Sequence, residues 1–175
     1  SPHFSFDSAL RLVLDAAGEA VAQEFARRIG FVIACGNDDS HLKNWSLEWG
    51  DKERPSLTPC YDLVSTISWE KYGWTSNRRK GPTLGLGLGR VRYFRQLDRV
   101  ALIRHSDRVG QPWAREHIME GIQQARRAWP EIEARCPPAM RLAMRSHWRN
   151  VPVLREAGPL AWTEPASPVT SAVTG

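Results

Sequence analysis

The sequence is poor in cysteine and has no long apolar run. Its three cysteines, Cys35, Cys60 and Cys136, are odd in number and form no CxxC pair, which argues against a disulfide framework and against a cysteine zinc site. No apolar run approaches the roughly 20 residues that a membrane span requires, and no basic-then-apolar leader opens the chain. We therefore expect a reducing, cytoplasmic setting and no membrane partner.

Lysine is also scarce, and arginine takes its place. Of the 24 basic residues 20 are arginine, and the formal net charge is +5. Arginine binds phosphate in a bidentate way, so this balance suits phosphate-rich or acidic partners. Because the arginines are spread along the chain, we favour a solvated surface over a binding block. Hydrophobic residues make up 42% and charged residues 25%, and these globular values exclude wholesale disorder.

Hydrophobic periodicity divides the chain into a mostly helical domain and a tail. It predicts helices over 17–35, 94–110, 113–129 and 139–149, with a small β-hairpin over 45–58. We therefore expect one α+β, mostly α-helical domain over residues 1–150 and a disordered tail over residues 151–175, which are rich in Pro, Ser, Thr and Gly. Residues 64–90 look irregular. The alternating glycines at 85–89 match no phosphate loop and predict a strand or bend beside the active-site cleft.

Polar residues cluster between the first predicted helix and the hairpin. Asp39 and Asn44 are five residues apart, and Asp62 follows the hairpin, 18 residues after Asn44. Phosphoryl transfer from ATP needs one carboxylate to orient the substrate hydroxyl, while an amide oxygen and a second carboxylate hold Mg²⁺ against the phosphates. Kinase-like folds place these groups in this order, with the base and the amide five residues apart on one loop. The spacing and the helix–loop–hairpin context together predict a phosphoryl-transfer site.

The motif at residues 37–44, Asn-Asp-Asp-x-His-x-Lys-Asn, precedes Leu-x-Pro-x-Tyr-Asp-Leu at residues 57–63. This combination resembles the signature of the HipA-like serine/threonine kinases, the toxin components of bacterial toxin–antitoxin pairs and their relatives. The resemblance implies the C-terminal lobe of a protein-kinase-like fold, with ATP and Mg²⁺ as cofactors and a protein hydroxyl as acceptor. It also implies a protein substrate, an aminoacyl-tRNA synthetase in some members, and a DNA-binding antitoxin as partner, so that DNA is contacted only indirectly.

Residue roles follow from the same resemblance. It assigns Asp39 as the catalytic base and Asn44 and Asp62 as the Mg²⁺ ligands. Asp38 and His41 are expected to structure the loop, with His41 packing or hydrogen-bonding rather than donating a proton.

The side chain of Lys43 could reach the transferred phosphate, and it could equally be a solvated surface lysine.

The chain begins Ser1-Pro2, and only 38 residues precede Asp39. The family's nucleotide lobe, which contains a glycine-bearing loop and a strand lysine, needs more residues than these 38. We therefore expect a fragment, a truncated product or one half of a split kinase, whose N-terminal lobe is missing or is a partner chain.

Two other functions stay open at this stage. The chain could be a non-catalytic module that binds an antitoxin or an antitoxin–DNA complex. It could also be a metal-dependent phosphohydrolase that uses Asp38, Asp39, His41 and Asp62. That chemistry would favour Mn²⁺, Fe²⁺ or Zn²⁺ and gives the five-residue Asp–Asn spacing no role.

Several other residues are expected to pack in the core or to lie at the surface, without a catalytic role. Cys35 and Cys60 are expected to pack, and the histidines other than His41 to be exposed or partly buried. Trp45 and Trp49 alternate onto one face of the hairpin, which is a candidate interface. A basic cluster at residues 78–80, near Trp69, Tyr72 and Trp74, is expected to be a solvated loop, with an activation segment or a nucleic-acid contact as alternatives.

Overall fold

Six α-helices and four short strands make up the part of the chain that the structure describes, which is residues 4–51, 53–69, 74 and 81–161 of a computed structural model. The helices are α1 (Phe6–Ala17), α2 (Glu19–Cys35), α3 (Arg99–Val109), α4 (Trp113–Glu133), α5 (Pro138–Asn150) and α6 (Pro152–Glu156). The strands are β1 (Leu47–Glu48), β2 (Ser56–Leu57), β3 (Thr83–Leu88) and β4 (Val91–Tyr93). The predicted mostly α-helical α+β fold is confirmed.

The strands form two separate antiparallel pairs. In the β1–β2 hairpin Leu47 lies opposite Leu57, as the alternation in the sequence predicts. In the β3–β4 pair Thr83 lies opposite Tyr93. Sequence analysis left β3 inside an irregular stretch, but its glycine-alternating part was expected to be a strand or bend, and a strand is what forms there.

Glycines set the bounds of the first two helices. Ser5 caps α1, its hydroxyl accepting a 3.5 Å hydrogen bond from the Ser8 amide. Gly18, with φ +88°, separates α1 from α2, and Gly36, with φ +66°, ends α2 in the left-handed conformation. The predicted helix over 17–35 is therefore α2, and α1 is an element that sequence analysis missed.

Helices α2 and α4 approach each other backbone to backbone. A Cβ added at Gly30 of α2 would lie 2.1 Å from the Ile118 carbonyl oxygen, and one added at Gly121 of α4 would lie 2.0 Å from the Arg27 carbonyl oxygen. Each helix thus presents a glycine where the other's backbone passes, which only a residue without Cβ allows. The large side chains that are fully buried around this crossing include Phe25, Ile29, Ile33, Ile118 and Ile122.

The C-terminal part of α4 departs from the prediction. A helix end was expected at Pro130, but α4 continues through it to Glu133. Proline removes one backbone hydrogen bond from a helix interior. Trp129 and Glu133 lie four residues apart on one side of α4 and are both buried. The packing of these two side chains stabilises the helical turn that contains the proline.

Residues 151–161 belong to the fold, so the predicted tail is wrong over this stretch. The structure places α6 here, and the apolar side chains Val151, Val153, Leu154 and Leu160 are buried in the core. Four side chains spaced this way were too few to give a periodic signal. Residues 162–175 lie outside the described residues.

A buried carboxylate joins α1 to α3. Asp7 contacts the His105 ring nitrogen Nδ1 and accepts a 2.5 Å hydrogen bond from Arg108 Nε. Burial alone would raise the pKa of the Asp7 carboxyl, but the hydrogen bonds and charges of His105 and Arg108 outweigh it and hold that pKa below its ordinary value. His105 is completely buried, which corrects the expectation that it lies at or near the surface.

Gly121→Ala tests the close helix crossing. Alanine normally stabilises a helix interior over glycine by about 0.5–1 kcal/mol. Here the new methyl group meets the Arg27 carbonyl, so we expect a net loss of about 1–3 kcal/mol in the free energy of unfolding. Unfolding in guanidinium chloride measures this change in the free energy of unfolding. Gly50→Ala is the matched control, since nothing lies within 4 Å of that position, and a stabilising Gly121→Ala would contradict the crossing.

Candidate functional site

The loop that follows α2 is closed by its own backbone and by one amide side chain. Asn44 Nδ2 donates a 2.9 Å hydrogen bond to the Asp39 carbonyl, and the His41 amide donates a 2.7 Å bond to the same oxygen. The bond of Asn44 uses its nitrogen, so Oδ1 remains as the end of the amide that could ligate a metal. The Asp39 side chain is 54% exposed. Its carboxylate is therefore accessible to solvent, while hydrogen bonds hold the backbone of the loop.

A buried asparagine links this loop to the segment that carries Asp62. The side chain of Asn37 accepts a 3.0 Å hydrogen bond from the Asp39 amide through Oδ1 and donates a 3.3 Å bond to the Asp62 carbonyl through Nδ2. Asn37 is 1% exposed, so both ends of its amide are satisfied inside the protein. Sequence analysis included Asn37 only as the first residue of the 37–44 motif and missed this role.

Thr66 forms a second clamp on the loop. Its buried hydroxyl accepts a 2.7 Å hydrogen bond from the Asp38 amide and donates a 3.1 Å bond to the Gly36 carbonyl. The Ile67 amide adds a 3.3 Å bond to that same carbonyl. The segment after Asp62 therefore holds the beginning of the loop, just as Asn37 holds its middle.

Asp62 has an unusual backbone conformation. Its φ of +54° is the single positive value at a non-glycine residue in the part of the chain described, and aspartate and asparagine are the side chains that tolerate this region best. Residues held in such conformations cluster at functional sites. The neighbouring Tyr61 hydroxyl donates a 2.9 Å bond to the Lys43 carbonyl and lies 2.7 Å from Ser46 Oγ, so the Asp62 segment also holds the end of the loop.

A cleft of about 280 Å³ lies between the loop and β3. Asp38, Asp39 and His41 line one side, and Thr83 and Gly85 line the other. The predicted strand is therefore present, and it lines this cleft.

The second wall of the cleft depends on one glycine. A Cβ added at Gly85 would lie 2.6 Å from the Ser40 amide nitrogen. Ser40 belongs to the loop and is 1% exposed. Only glycine lets β3 lie this close to the loop backbone, so β3 and the loop are fixed against each other.

The predicted site residues come together as a hydrogen-bonded unit rather than as one side-chain cluster. Asp38, Asp39 and His41 share the cleft, where His41 Nε2 lies 3.1 Å from Asp39 Oδ1. Asn44 borders a neighbouring shallow pocket together with Tyr61.

Among the described residues, no group of three or more His, Cys, Asp and Glu is placed to hold a metal ion by itself. The two groups expected to bind Mg²⁺, the Asn44 amide oxygen and the Asp62 carboxylate, are hard oxygen donors. Mg²⁺ commonly takes one or two such ligands with phosphates and water completing its shell. The donor set therefore fits Mg²⁺ bound together with a nucleotide. Lys43 and Asp62 are exposed at the surface.

Helix α5 anchors the end of α2 from which the loop starts. His147 Nε2 donates a 2.7 Å hydrogen bond to the Ile33 carbonyl and its Nδ1 accepts a 3.2 Å bond from Trp74 Nε1. Trp148 Nε1 donates a 3.1 Å bond to the Ala34 carbonyl. Burial lowers the pKa of His147 to about 4, so the ring is neutral and has one donor and one acceptor nitrogen. The expectation of an exposed or partly buried histidine is wrong here.

Three other expectations are settled by exposure and contact. Trp45 is half-buried and packs against Phe25 of the core, with ring centroids 4.5 Å apart, whereas Trp49 is 71% exposed. Cys60 is exposed rather than packed. Burial raises the pKa of the Cys35 thiol to about 12, which makes it unreactive. The basic cluster at 78–80 lies outside the described residues.

No helix in the described ranges combines the length and the apolar character needed to cross a bilayer.

Comparison with known sequences places the chain in a described family. The model of the HipA-like C-terminal domain matches residues 3–129. Y4dM of Sinorhizobium fredii, which carries a provisional kinase name, is 30% identical over 137 residues, covering 76% of this chain and 32% of that protein. A Haemophilus influenzae protein, also provisionally named a kinase, is 34% identical over 65 residues, covering 36% of this chain and 19% of its own length. The chain thus spans about a third or less of these relatives.

A solved structure shares the fold. HipA of Shewanella oneidensis MR-1, in a complex with HipB and operator DNA, aligns with a TM-score of 0.66 at 20% identity. The alignment covers 87% of this chain and 37% of that one. At this level of identity the likeness establishes the fold, and function has to be argued from the site.

Thr66→Val tests the clamp on the loop. Valine matches the shape of threonine but leaves the Asp38 amide without its hydroxyl partner and removes one of the two hydrogen bonds to the Gly36 carbonyl, so we expect a loss of about 1–3 kcal/mol in the free energy of unfolding. Amide hydrogen exchange at Asp38 should speed up as well. Thr66→Ser keeps the hydroxyl and should retain most of the stability. Equal stability of the two variants would show that the clamp does not hold the loop.

Proposed function

The chain belongs to the HipA-like C-terminal domain family, and we propose that it is the catalytic lobe of a serine/threonine kinase that transfers the γ-phosphoryl group of ATP to a protein hydroxyl. The observation that carries this proposal is the Asn37 bridge. It fixes the backbones of Asp39 and Asp62 relative to each other. Phosphoryl transfer depends mainly on positioning and on electrostatic stabilisation, and a loop held at its beginning, middle and end supplies positioning.

Asp39 is the proposed base. Its carboxylate lies in the cleft, where a substrate hydroxyl can reach it, and the 3.1 Å contact with His41 Nε2 restricts its orientation. Asp39 would accept the proton of the hydroxyl as that oxygen attacks the γ-phosphorus. His41 then acts as a positioning residue, which agrees with its place beside the carboxylate.

Asn44 and Asp62 are the proposed ligands of Mg²⁺, through the amide oxygen and the carboxylate. When bound, Mg²⁺ neutralises charge on the phosphates of ATP. The bond from Asn44 to the Asp39 carbonyl and the Asn37 bridge from Asp39 to Asp62 tie both residues to the loop that carries the base, which supports this assignment. Lys43 is the proposed phosphate contact, since its exposed side chain adjoins Asn44.

The partners are proposed from the relatives. HipA of S. oneidensis was solved with HipB and operator DNA, so we propose an antitoxin partner for the protein that contains this chain, and a protein substrate, with an aminoacyl-tRNA synthetase as the class to try first. We propose that the residues covering the nucleotide come from an N-terminal lobe corresponding to the part of the relatives that this chain does not span. The phosphohydrolase alternative is disfavoured, because it needs the metal-binding cluster that the described residues do not form.

Asp39→Asn in the full protein tests the proposed base. Asparagine keeps the shape of the side chain but cannot accept the proton, so we expect phosphorylation with Mg²⁺ and ATP to fall by about 10²–10⁴-fold at an unchanged melting temperature. Transfer of labelled phosphate measures the activity. Asp51→Asn, an equal charge change in the exposed hairpin turn, is the control. Activity of Asp39→Asn within a few-fold of the parent would refute the assignment.

A further inference from the structure

An apolar pocket of about 160 Å³ is formed by side chains of α2, α4 and α5. The side chains that line it include Trp129 of α4 and Met140, Met144 and Trp148 of α5, and we call it the α4–α5 pocket. It shares no lining residue with the cleft between the loop and β3. The phosphoryl transfer proposed above makes no use of it.

The α4–α5 pocket offers a ligand no charge. None of its lining residues, all of which belong to the described part of the chain, is charged. The Ser65 hydroxyl hydrogen-bonds to Met144 Sδ at 3.6 Å, and Trp148 Nε1 donates its hydrogen to the Ala34 carbonyl. Burial keeps the Cys35 thiol neutral by raising its pKa to about 12. A charged molecule would lose its hydration here without gaining a partner, so the pocket selects against ions.

The size and the lining of the pocket suit a small aromatic molecule. An apolar cavity of about 150 Å³ stays dry and binds benzene in proteins, and the α4–α5 pocket has a similar volume. Methionine adapts its shape and makes favourable sulfur–aromatic contacts, and Met140 and Met144 both line the pocket. Phe31 and Ile132 line it from exposed positions, so the pocket reaches the surface, where a ligand can enter.

The α4–α5 pocket also adjoins the two segments that hold the loop. Cys35 lines it, and the next residue is Gly36, whose carbonyl accepts the hydrogen bond from the Thr66 hydroxyl. Leu63 lines it as well, and this residue directly follows Asp62. A molecule in the pocket therefore contacts a neighbour of each segment. If either segment opened locally, one wall of the pocket would be lost.

We propose that the α4–α5 pocket binds a small uncharged aromatic molecule, of one ring or two fused rings, and that this binding stabilises the loop. The ligand binds only while the wall formed by Cys35 and Leu63 is intact, so it favours the closed loop over locally opened forms by mass action. The site does not depend on the proposed kinase activity, because it involves neither ATP nor the residues of the cleft.

The first test is binding of indole to the full protein, followed by ligand-observed NMR. Indole is an uncharged pair of fused rings, and for a molecule of this size we expect a dissociation constant of about 0.1–1 mM. Benzoate, which is similar in size but carries a negative charge, should bind at least about tenfold more weakly.

Ala128→Leu fills the pocket and tests where indole binds. Ala128 lines the pocket from an exposed position on α4, and leucine is a good helix former. We therefore expect an unchanged melting temperature and an affinity for indole that falls by about tenfold or more, because the larger side chain takes up the space of the ligand. Ala20→Leu, at an exposed position of α2 that does not line the pocket, is the matched control and should bind indole like the parent.

Amide hydrogen exchange tests the effect on the loop. The Asp38 amide is held by the Thr66 hydroxyl and exchanges when the loop opens locally. Indole at about ten times its dissociation constant should slow this exchange about tenfold, and it should have no such effect in Ala128→Leu. Unchanged exchange at Asp38 with indole bound would refute the stabilisation of the loop.

Three results would overturn the binding site. Failure of the full protein to bind indole saturably would show that another part of the protein or a second copy covers the pocket. Equal affinity of Ala128→Leu and the parent would place the indole elsewhere. Benzoate binding as tight as indole binding would contradict the exclusion of charge.

Discussion

The candidate site depends on how one buried amide is satisfied. The side chain of Asn37 is inside the protein, and leaving its donor or its acceptor without a partner would cost about 1–3 kcal/mol for each group. The two partners it finds are the Asp39 amide and the Asp62 carbonyl. Because both ends of the buried amide need a partner, Asn37 holds together two segments whose residues Asp39 and Asp62 are 23 positions apart in sequence.

The surrounding elements keep that amide in place. The loop begins where helix α2 ends. The last turn of α2 is fixed because its carbonyls accept hydrogen bonds from His147 and Trp148 of α5. The glycine-mediated crossing with α4 fixes the helix further back. On the far side, β3 rests against the loop at Gly85. The loop is therefore shaped before any ligand arrives, and this preorganisation is what electrostatic catalysis of phosphoryl transfer requires.

Local sequence predicted the parts of the fold that local physics determines. The glycine that ends α2, the alternation that sets the Leu47–Leu57 register, and the spacing of Asp39 and Asn44 can all be seen within a few residues. Asn37 and Thr66 could not be identified in this way, because their importance comes from partners 25 to 30 residues away. The same holds for the C-terminal stretch, where burial and not periodicity decides the structure.

The most direct test of the central claim is where a divalent ion binds with ATP. Mn²⁺ can replace Mg²⁺ at oxygen sites, and it broadens the amide NMR signals of nearby residues. With ATP present, the account predicts that Mn²⁺ broadens the signals of residues 38–44 and 62–66 first and leaves those around the exposed Trp49 intact. Asp62→Gly accepts the left-handed backbone but lacks the carboxylate, and it should abolish the selective broadening. Broadening centred elsewhere, or unchanged in Asp62→Gly, would contradict the account.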